Sequence, residues 1–573
     1  MSFPLSSGPT TWVERLPGVD PAGLALALGV SPLLAGHLAR RGIDNAEEGG
    51  RFLSPRLQDM ADPAGMAGMA PAVERLARAV SRREKVALYG DYDVDGITST
   101  SLVALVLREL GLEPILHIPH RVRDGYGLNR SAVEALVGQG ASLLVALDCG
   151  VTAVEEVRAA VALGTAVIVV DHHTVPAELP PAVAVLNPHR PDCPFREKGL
   201  CAVGIAFFLC VALRAALRGA GLLPPRGGPD LRDHLDLVAL GTVADMVPLT
   251  GQNRILVAQG LKVLAAARRP GVRALMAVSR VDPARVTAGD VGFQLAPRIN
   301  AAGRLADAML GVRLLTTRCP EEAGGLAAQL DAENRARREQ EQRAVAQATR
   351  MALEEPVHRD ARALVLHSPD WHPGVVGIAA QKLVERFHRP TILVGAGGVG
   401  SGRSIESFHL HNALCCTAEH LRGFGGHAHA AGLRLDPERL PAFRAAFYDH
   451  AREHLTPEDL VGKSSHDGAL PLGELRDELV EALQRAAPFG RGNQEPCFLW
   501  PGVQVASRRV VGDGPLQVEL GGAVKGIAFR LADRAAMLAG PVDFLGTPEH
   551  DHYRGVKRLN LRIRDIRPAQ GDT

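Results

Sequence analysis

From Lys85 onward, short apolar runs at 86–89, 113–119, 143–147 and 167–170 alternate with helix-length segments at about 98–110 and 152–163. Strands buried on both faces lose the polar alternation of a half-exposed strand, so this texture predicts βαβ units around a parallel sheet. Further helices are expected over 200–218 and 231–242, separated by the breaker-rich loop GLLPPRGGPD at 221–230. Residues 330–355 carry mixed charges, few large apolar side chains and neither proline nor glycine. They predict a long helix connecting two domains, the plainer alternative being the solvated face of an ordinary helix. The α/β texture then returns at 363–367, 375–387 and 391–394. From about Asp467, glycine turns separate short alternating runs such as LNLRIRDI at 559–566, the signature of a small β-barrel or sandwich. Residues before about 80 read as helical and show no chemistry.

The predicted organisation is therefore an α/β protein in five parts. A helical segment spans 1–80, a parallel-sheet domain 81–329 and a connecting helix 330–358. A smaller α/β domain spans 359–466, and a C-terminal β-barrel 467–573.

Composition changes this picture little. A chain of 573 residues exceeds what one core holds, about 250–300 residues. Hydrophobic content of 46% and charged content of 22% exclude a disordered chain. The net charge of +1 means that any nucleic-acid surface must be local. Aromatic content of 4% argues against a broad base-stacking platform. The eight cysteines form no C-x-x-C pair, which suits a reducing compartment better than a disulfide framework. The N-terminus lacks a signal-like apolar stretch, and the longest apolar run, 200–213, falls short of the roughly 20 residues a bilayer requires. The expectation is a soluble cytoplasmic protein with no membrane contact.

Candidate chemistry sits at the strand ends. LYGDYDVDGI at 88–97 runs from an apolar strand into Asp91, Asp93 and Asp95. Ligands of open α/β sheets bind beyond the carboxyl ends of strands. Carboxylates so close repel one another, and the repulsion is relieved either by solvent in an exposed loop or by a hard cation such as Mg²⁺ or Mn²⁺. A calcium loop would need a glutamate at its twelfth position, where Leu102 stands. The pattern then repeats: Asp148 ends a second strand, and Asp171, His172 and His173 end a third. Three successive strands stopping in aspartate are poorly explained as coincidence. The mixed oxygen and nitrogen donors favour Mn²⁺ or Mg²⁺. Two such ions about 4 Å apart clamp the attacking and leaving oxygens of a phosphoryl displacement, and the attacking water has its pKa lowered.

DYDVDG at 91–96 and DHH at 171–173 resemble motifs of the DHH phosphoesterase superfamily. GTVADMVPLTGQNR at 241–254, PRINAAGR at 297–304, HPGVVGI at 372–378, GSGRS at 400–404 and GGHAHAAG at 425–432 narrow the resemblance to the bacterial RecJ exonucleases. All these motifs stand in family order, and the resemblance runs from about Lys85 to the C-terminus. It implies a DHH domain, a DHHA1 domain and an OB-like domain. The implied activity is 5′-to-3′ digestion of single-stranded DNA with two Mn²⁺ or Mg²⁺ ions, in repair and recombination. A helicase and a single-strand-binding protein are the expected partners of a monomer. Carried onto this sequence, Asp93, Asp95, Asp148, His172 and Asp245 are the expected metal ligands, His173 contacts the scissile phosphate, and Asp91 supports. Asp245 follows from the resemblance alone, since one aspartate after a helix reads as a cap.

The substrate side rests on weaker signals. The small residues of GSGRS, with Ser401, Arg403 and Ser404, suit a phosphate. With Arg304 from PRINAAGR, Ser401 and Arg403 are expected to bind the 5′-terminal phosphate. Asn300, His372, Gly426 and His427 are further candidates, each with a packing or turn alternative. Tyr126 is a candidate for base stacking, and equally a turn residue. Scattered C-terminal cations, among them Arg508, Arg509, Lys525, Arg530, Lys557, Arg558, Arg562 and Arg564, are candidates for tracking phosphates, or else ordinary ion-pair partners. Two other readings stay open. One is a DHH phosphodiesterase acting on short oligonucleotides or cyclic dinucleotides; the other is a non-catalytic single-strand-binding relative.

Overall fold

The computed structural model describes residues 10–121, 124, 125, 127–305, 307–512, 514–521, 524–529, 531–553 and 556–569. The chain divides into two compact units. One comprises Glu14–Asp331 with His466–Thr573, the other Ala332–Ser465 with the start of the chain.

The first unit is organised on a parallel five-stranded sheet in the order Ile115–His117, Val86–Gly90, Leu143–Leu147, Ala166–Val170, Ala184–Leu186. The second strand in sequence lies on one side of the first and the third on the other. The order therefore reverses between Val86–Gly90 and Leu143–Leu147, the place where doubly wound sheets open a crevice. Val86–Gly90 and Leu143–Leu147 are buried along their whole length, as a central parallel strand must be. Helix Val94–Glu109 begins four residues earlier than the apolar pattern indicates, because Asp93 caps it: its Oδ1 accepts from the amides of Asp95 and Gly96. Helix Ala202–Gly219 is long and apolar enough for a bilayer by composition, but most of its surface is buried within the protein, and it packs against Val94–Glu109 and Leu235–Ala244.

Residues before 80 form a short strand, Thr11–Glu14, and helices Pro21–Leu28, Pro32–Ala39, Ala46–Leu53 and Met69–Arg82. The C-terminal part of this unit is a six-stranded sheet in the order Phe498–Val503, Val542–Tyr553, Val556–Pro568, Lys525–Ala528, Leu516–Glu519, Ser507–Val510. The expected barrel is open: its two edge strands, Phe498–Val503 and Ser507–Val510, do not pair with each other among the described residues. Its core is built around Trp500, Phe498 and Phe544.

The second unit carries a mixed sheet in the order Gly423–Gly426, Ala430–Arg434, Val399–Arg403, Thr391–Val394, Leu364–His367, in which only the last two strands run parallel. Helix Pro373–Phe387 packs on it. The connecting helix is Pro320–Glu354, ten residues longer at its start than the charge pattern predicts. Gly324 and Gly325 read as a break and each costs about 1 kcal/mol in a helix. Burial of Ala323, Leu326, Ala327 and Leu330 on one face overrides them.

Candidate metal centre

Asp91, Asp148 and Asp171 each continue their strand by one residue. Their amides donate to Leu147, Val170 and Leu186 of the neighbouring strands, so the sheet ladder itself sets them side by side. Asp148 sits at φ +65°, a left-handed conformation rare for a residue with a Cβ. Gly96 is required here, since a Cβ would lie 2.5 Å from the backbone N and O of Asp91. Asp95 lies in the first turn of its helix, with both carboxylate oxygens accepting amides at the start of helix Ala202–Gly219, from Ala202 at 2.6 Å and Val203 at 2.9 Å. Asp245 closes the site from the C-terminal end of helix Leu235–Ala244.

These side chains converge on His172. Its Nε2 lies 3.3 Å from Asp148, 3.6 Å from Asp245 and 3.8 Å from Asp95. Three sets of donors come close enough to share an ion: Asp95–His172–Asp245, Asp148–His172–His173 and Asp91–Asp93–Asp148. Asp171 holds the DHH turn instead of joining these sets. Its Oδ1 accepts from the amides of His172 and His173 and from His173 Nδ1 at 2.7 Å, and its Oδ2 from the amide of Val151.

The electrostatics are those of a site short of positive charge. Burial and the Asp93 charge push Asp95 up to about 7. Burial and Asp95 push Asp245 up to about 9. Asp91 and Asp148 are also driven well above the carboxylate range, by burial and by their acidic neighbours. His172 is lowered to about 4 by burial and by the adjacent His173. His173 rises to about 9, because the bond to Asp171 outweighs its burial. Asp91 Oδ1 and Asp245 Oδ2 are buried and accept no hydrogen bond among the described residues. Buried carboxylates without a counter-ion are costly. Hard oxygen donors with an imidazole among them fit Mn²⁺ or Mg²⁺.

PRINAAGR packs directly against this loop. Asn300 Oδ1 accepts the amide of Val94 at 3.2 Å, and a Cβ on Gly303 would lie 2.3 Å from the carbonyl of Tyr92, which sets Arg304 beside the acidic segment. Asn300 thus positions the Asp93–Asp95 turn. Tyr126 lies outside the described residues.

In the second unit Ser401 and Arg403 stand together on strand Val399–Arg403, Arg403 Nη1 donating to Ser401 Oγ at 3.1 Å. Gly377 of HPGVVGI leaves room for both: a Cβ there would lie 2.9 Å from Ser401 Oγ and 3.2 Å from Arg403 Nη2. Ser404 Oγ donates to the Phe408 carbonyl, and His372 caps helix Pro373–Phe387 through Nδ1. Gly426, at φ +140°, has the Ala430 carbonyl where a Cβ would stand, so only glycine fits this hairpin. His427 beside it is exposed.

Several C-terminal cations are engaged in ion pairs: Arg562 with Glu495 and Glu549, Arg564 with Glu495, and Lys557 with Glu481. Arg508, Lys525 and Arg558 are exposed, and Arg530 lies outside the described residues. Periodicity alone missed Asp245, and it missed two exposed apolar residues. Met246, 67% exposed and at φ +58°, follows Asp245, and Phe293, 87% exposed, stands in the π-helical turn Val291–Leu295. A large apolar side chain that stays exposed next to a polar motif is the signal that could have drawn attention to them.

A parallel sheet with a carboxylate–histidine centre at its switch point defines a metal-dependent phosphoesterase of the DHH class. The DHH family N-terminal domain model matches residues 85–242, the DHHA1 domain model 360–453 and the RecJ OB domain model 466–565. The single-stranded-DNA-specific exonuclease RecJ of Dickeya dadantii is 42% identical over 94% of this chain and 96% of its own length. That of Escherichia coli is 38% identical over the same shares. The crystal structure of RecJ in complex with Mn²⁺ from Thermus thermophilus superposes with a TM-score of 0.82 at 32% identity, covering 98% of this chain and 80% of that one. The chain belongs to the RecJ family.

Proposed function

We propose that this protein is a single-stranded-DNA-specific exonuclease that hydrolyses phosphodiesters with two Mn²⁺ or Mg²⁺ ions and proceeds from the 5′ end. The observation that carries the reading is the convergence of Asp95, Asp148 and Asp245 within 3.8 Å of His172 Nε2. With every expected ligand position filled by a carboxylate or imidazole, a purely binding role has no support. The C-terminal sheet favours a longer strand over a short oligonucleotide or cyclic dinucleotide.

Asp93, Asp95, Asp148, Asp245 and His172 would hold the ions, which supply charge neutralisation at the phosphate and a water of lowered pKa. Asp171 fixes the orientation of His173. That imidazole, with Nδ1 held by Asp171, would contact the scissile phosphate through its other ring nitrogen. Ser401 and Arg403, with the glycine backbone around Gly426, supply a neutral-to-cationic surface for a terminal phosphate. Arg304 adds a cation next to the acidic loop. Exposed Met246 and Phe293 offer apolar faces for bases. The same reading makes the protein a cytoplasmic monomer in repair and recombination, with a helicase supplying the strand and a single-strand-binding protein covering it.

Strands labelled at the 5′ or the 3′ end, and carrying a 5′-phosphate or a 5′-hydroxyl, test the reading. The expected result is immediate release of the 5′ label and progressive shortening of the 3′-labelled strand, with Mn²⁺ or Mg²⁺ required. Arg403→Ala should slow digestion of the phosphorylated strand about tenfold more than that of the hydroxyl strand. An equal loss on both would reject the phosphate assignment. Release of the 3′ label first would reject the polarity.

A further inference from the structure

One cation near the metal centre comes from the far end of the sequence. The segment 486–493, which precedes the C-terminal sheet, is anchored on the turn that carries Asp245. The amide of Leu249 donates to the Arg491 carbonyl at 2.7 Å. Gly490 and Gly492 lie so close to Leu249 and Pro248 that a Cβ on either would meet them at 2.7 and 3.0 Å. Buried Asn493 ties the segment to itself, its Nδ2 donating to the carbonyls of Ala486 and Pro488. Buried Arg254 secures it from below, donating to the carbonyls of Ala486, Ala487, Pro488 and Phe52, with its guanidinium 3.5 Å from the centre of the Phe52 ring. Arg254 thus satisfies four carbonyls and meets no carboxylate among the described residues, so it serves the shape of this junction.

Arg491 is held differently. Its backbone is fixed, its side chain is exposed, and its one hydrogen bond among those described is a long one, from Nη1 to the carbonyl of Met246 at 3.4 Å. Met246 is itself exposed and in a left-handed conformation directly after Asp245. Asp245 feels the Arg491 charge. Four of a guanidinium's five N–H donors remain for another acceptor. A fixed backbone carrying an exposed, under-used guanidinium beside a metal ligand is the geometry of a phosphate contact.

We propose that Arg491 binds a backbone phosphate of the DNA strand on the Asp245 side of the metal centre, so that the C-terminal domain contributes directly to substrate alignment at the site of cleavage. This rests on the single-strand exonuclease reading above. A bidentate guanidinium–phosphate contact on this flank would fix the strand against the catalytic sheet, with Met246 beneath the adjoining nucleotide. It would also couple the seating of the C-terminal sheet to the metal site through the segment that Arg254 holds.

The test compares wild type, Arg491→Ala and Arg491→Lys as full-length proteins. Binding of a 3′-fluorescein-labelled oligothymidylate is measured by anisotropy in EDTA, where no hydrolysis runs, across a series of salt concentrations. Digestion kinetics are then measured with Mn²⁺. Loss of one phosphate contact should weaken Arg491→Ala about tenfold and lower the slope of log affinity against log salt by about 0.7. KM should rise with kcat changed far less, the melting temperature should stay at the wild-type value, and Arg491→Lys should recover part of the affinity and the whole salt slope. Unchanged affinity and slope in Arg491→Ala, beside a wild type that binds and digests the strand, would overturn this inference and leave the exonuclease reading standing. A lowered melting temperature with wild-type affinity below it would also overturn it, marking Arg491 as structural. A wild type that neither binds nor digests the strand would remove the exonuclease reading, and this inference with it.

Discussion

Two of the places where the first unit buries carboxylates give opposite results. Asp467 is almost wholly enclosed, yet it is held well below the usual carboxylate range: burial alone would raise it, and the His37 imidazole 3.7 Å away and two hydrogen bonds from Arg41 outweigh that. Arg41 reaches it at 3.1 Å and Arg15 at 3.0 Å. Asp91, Asp95 and Asp148 are buried as deeply and Asp245 less so, but they face one another, and all four are raised. The difference is the source of positive charge. At Asp467 the fold carries its own cations and fastens the N-terminal helices to the C-terminal segment. At the strand ends the carboxylates face one another and His172, and leave a place that a divalent ion would complete.

The largest effect should come from Asp148→Ala. Mn²⁺-dependent digestion should fall on the order of a thousandfold, while the metal-free variant melts no lower than wild type, because one of several repelling charges has gone. Saturating Mn²⁺ should raise the melting temperature of wild type and not of the variant, following ligand linkage. A metal-free Asp148→Ala that unfolds well below wild type would mean that this centre is structural, like Asp467, and the contrast would break.

Asp467→Ala should do the reverse. Removing one partner of a buried ion pair strands the other charges and costs about 3–5 kcal/mol, read by denaturant or thermal unfolding. The turnover of the molecules that remain folded should stay near wild type. Full stability in this variant would remove the distinction from the other side.

The smallest effect is in pH. A carboxylate lowered by folding contributes stability that is complete above its unfolded pKa, about 3.9, and is lost as pH falls toward the lower folded value. His37 is kept neutral by burial, so acid also works against it from about pH 6.5 downward. The contribution of this cluster should therefore decline below about pH 6.5 and more steeply below about pH 4, read as the difference between the wild-type and Asp467→Asn stability curves, from which the raised carboxylates of the strand ends cancel. A variant whose acid limb matches wild type would show that Asp467 contributes nothing there.

The parallel sheet and the three acidic strand ends were legible because unbroken apolar runs stopping in aspartate have a local cause. Helix starts were less legible. Asp93 extends its helix back to Val94 by capping, and burial carries the connecting helix through Gly324 and Gly325, which look like a break. Asp245 could not be separated from an ordinary helix end without the resemblance of its motif. Arg491 stands 246 residues beyond Asp245 in the sequence, and nothing near it announces the metal site. The small barrel or sandwich expected from the alternating C-terminal runs is a six-stranded sheet whose edge strands do not pair among the described residues, because alternation specifies strands and a buried face but not whether the edges meet.

The sequence by itself determined the elements, the acidic strand ends and the family motifs, since hydrophobic period and residue chemistry act over a few neighbouring positions. Only the tertiary structure decided which carboxylates share a site, which one meets arginines, and that a C-terminal cation stands beside Asp245. Those outcomes depend on through-space distances and on burial, and neither is set until the sheet order and the packing of distant segments are fixed.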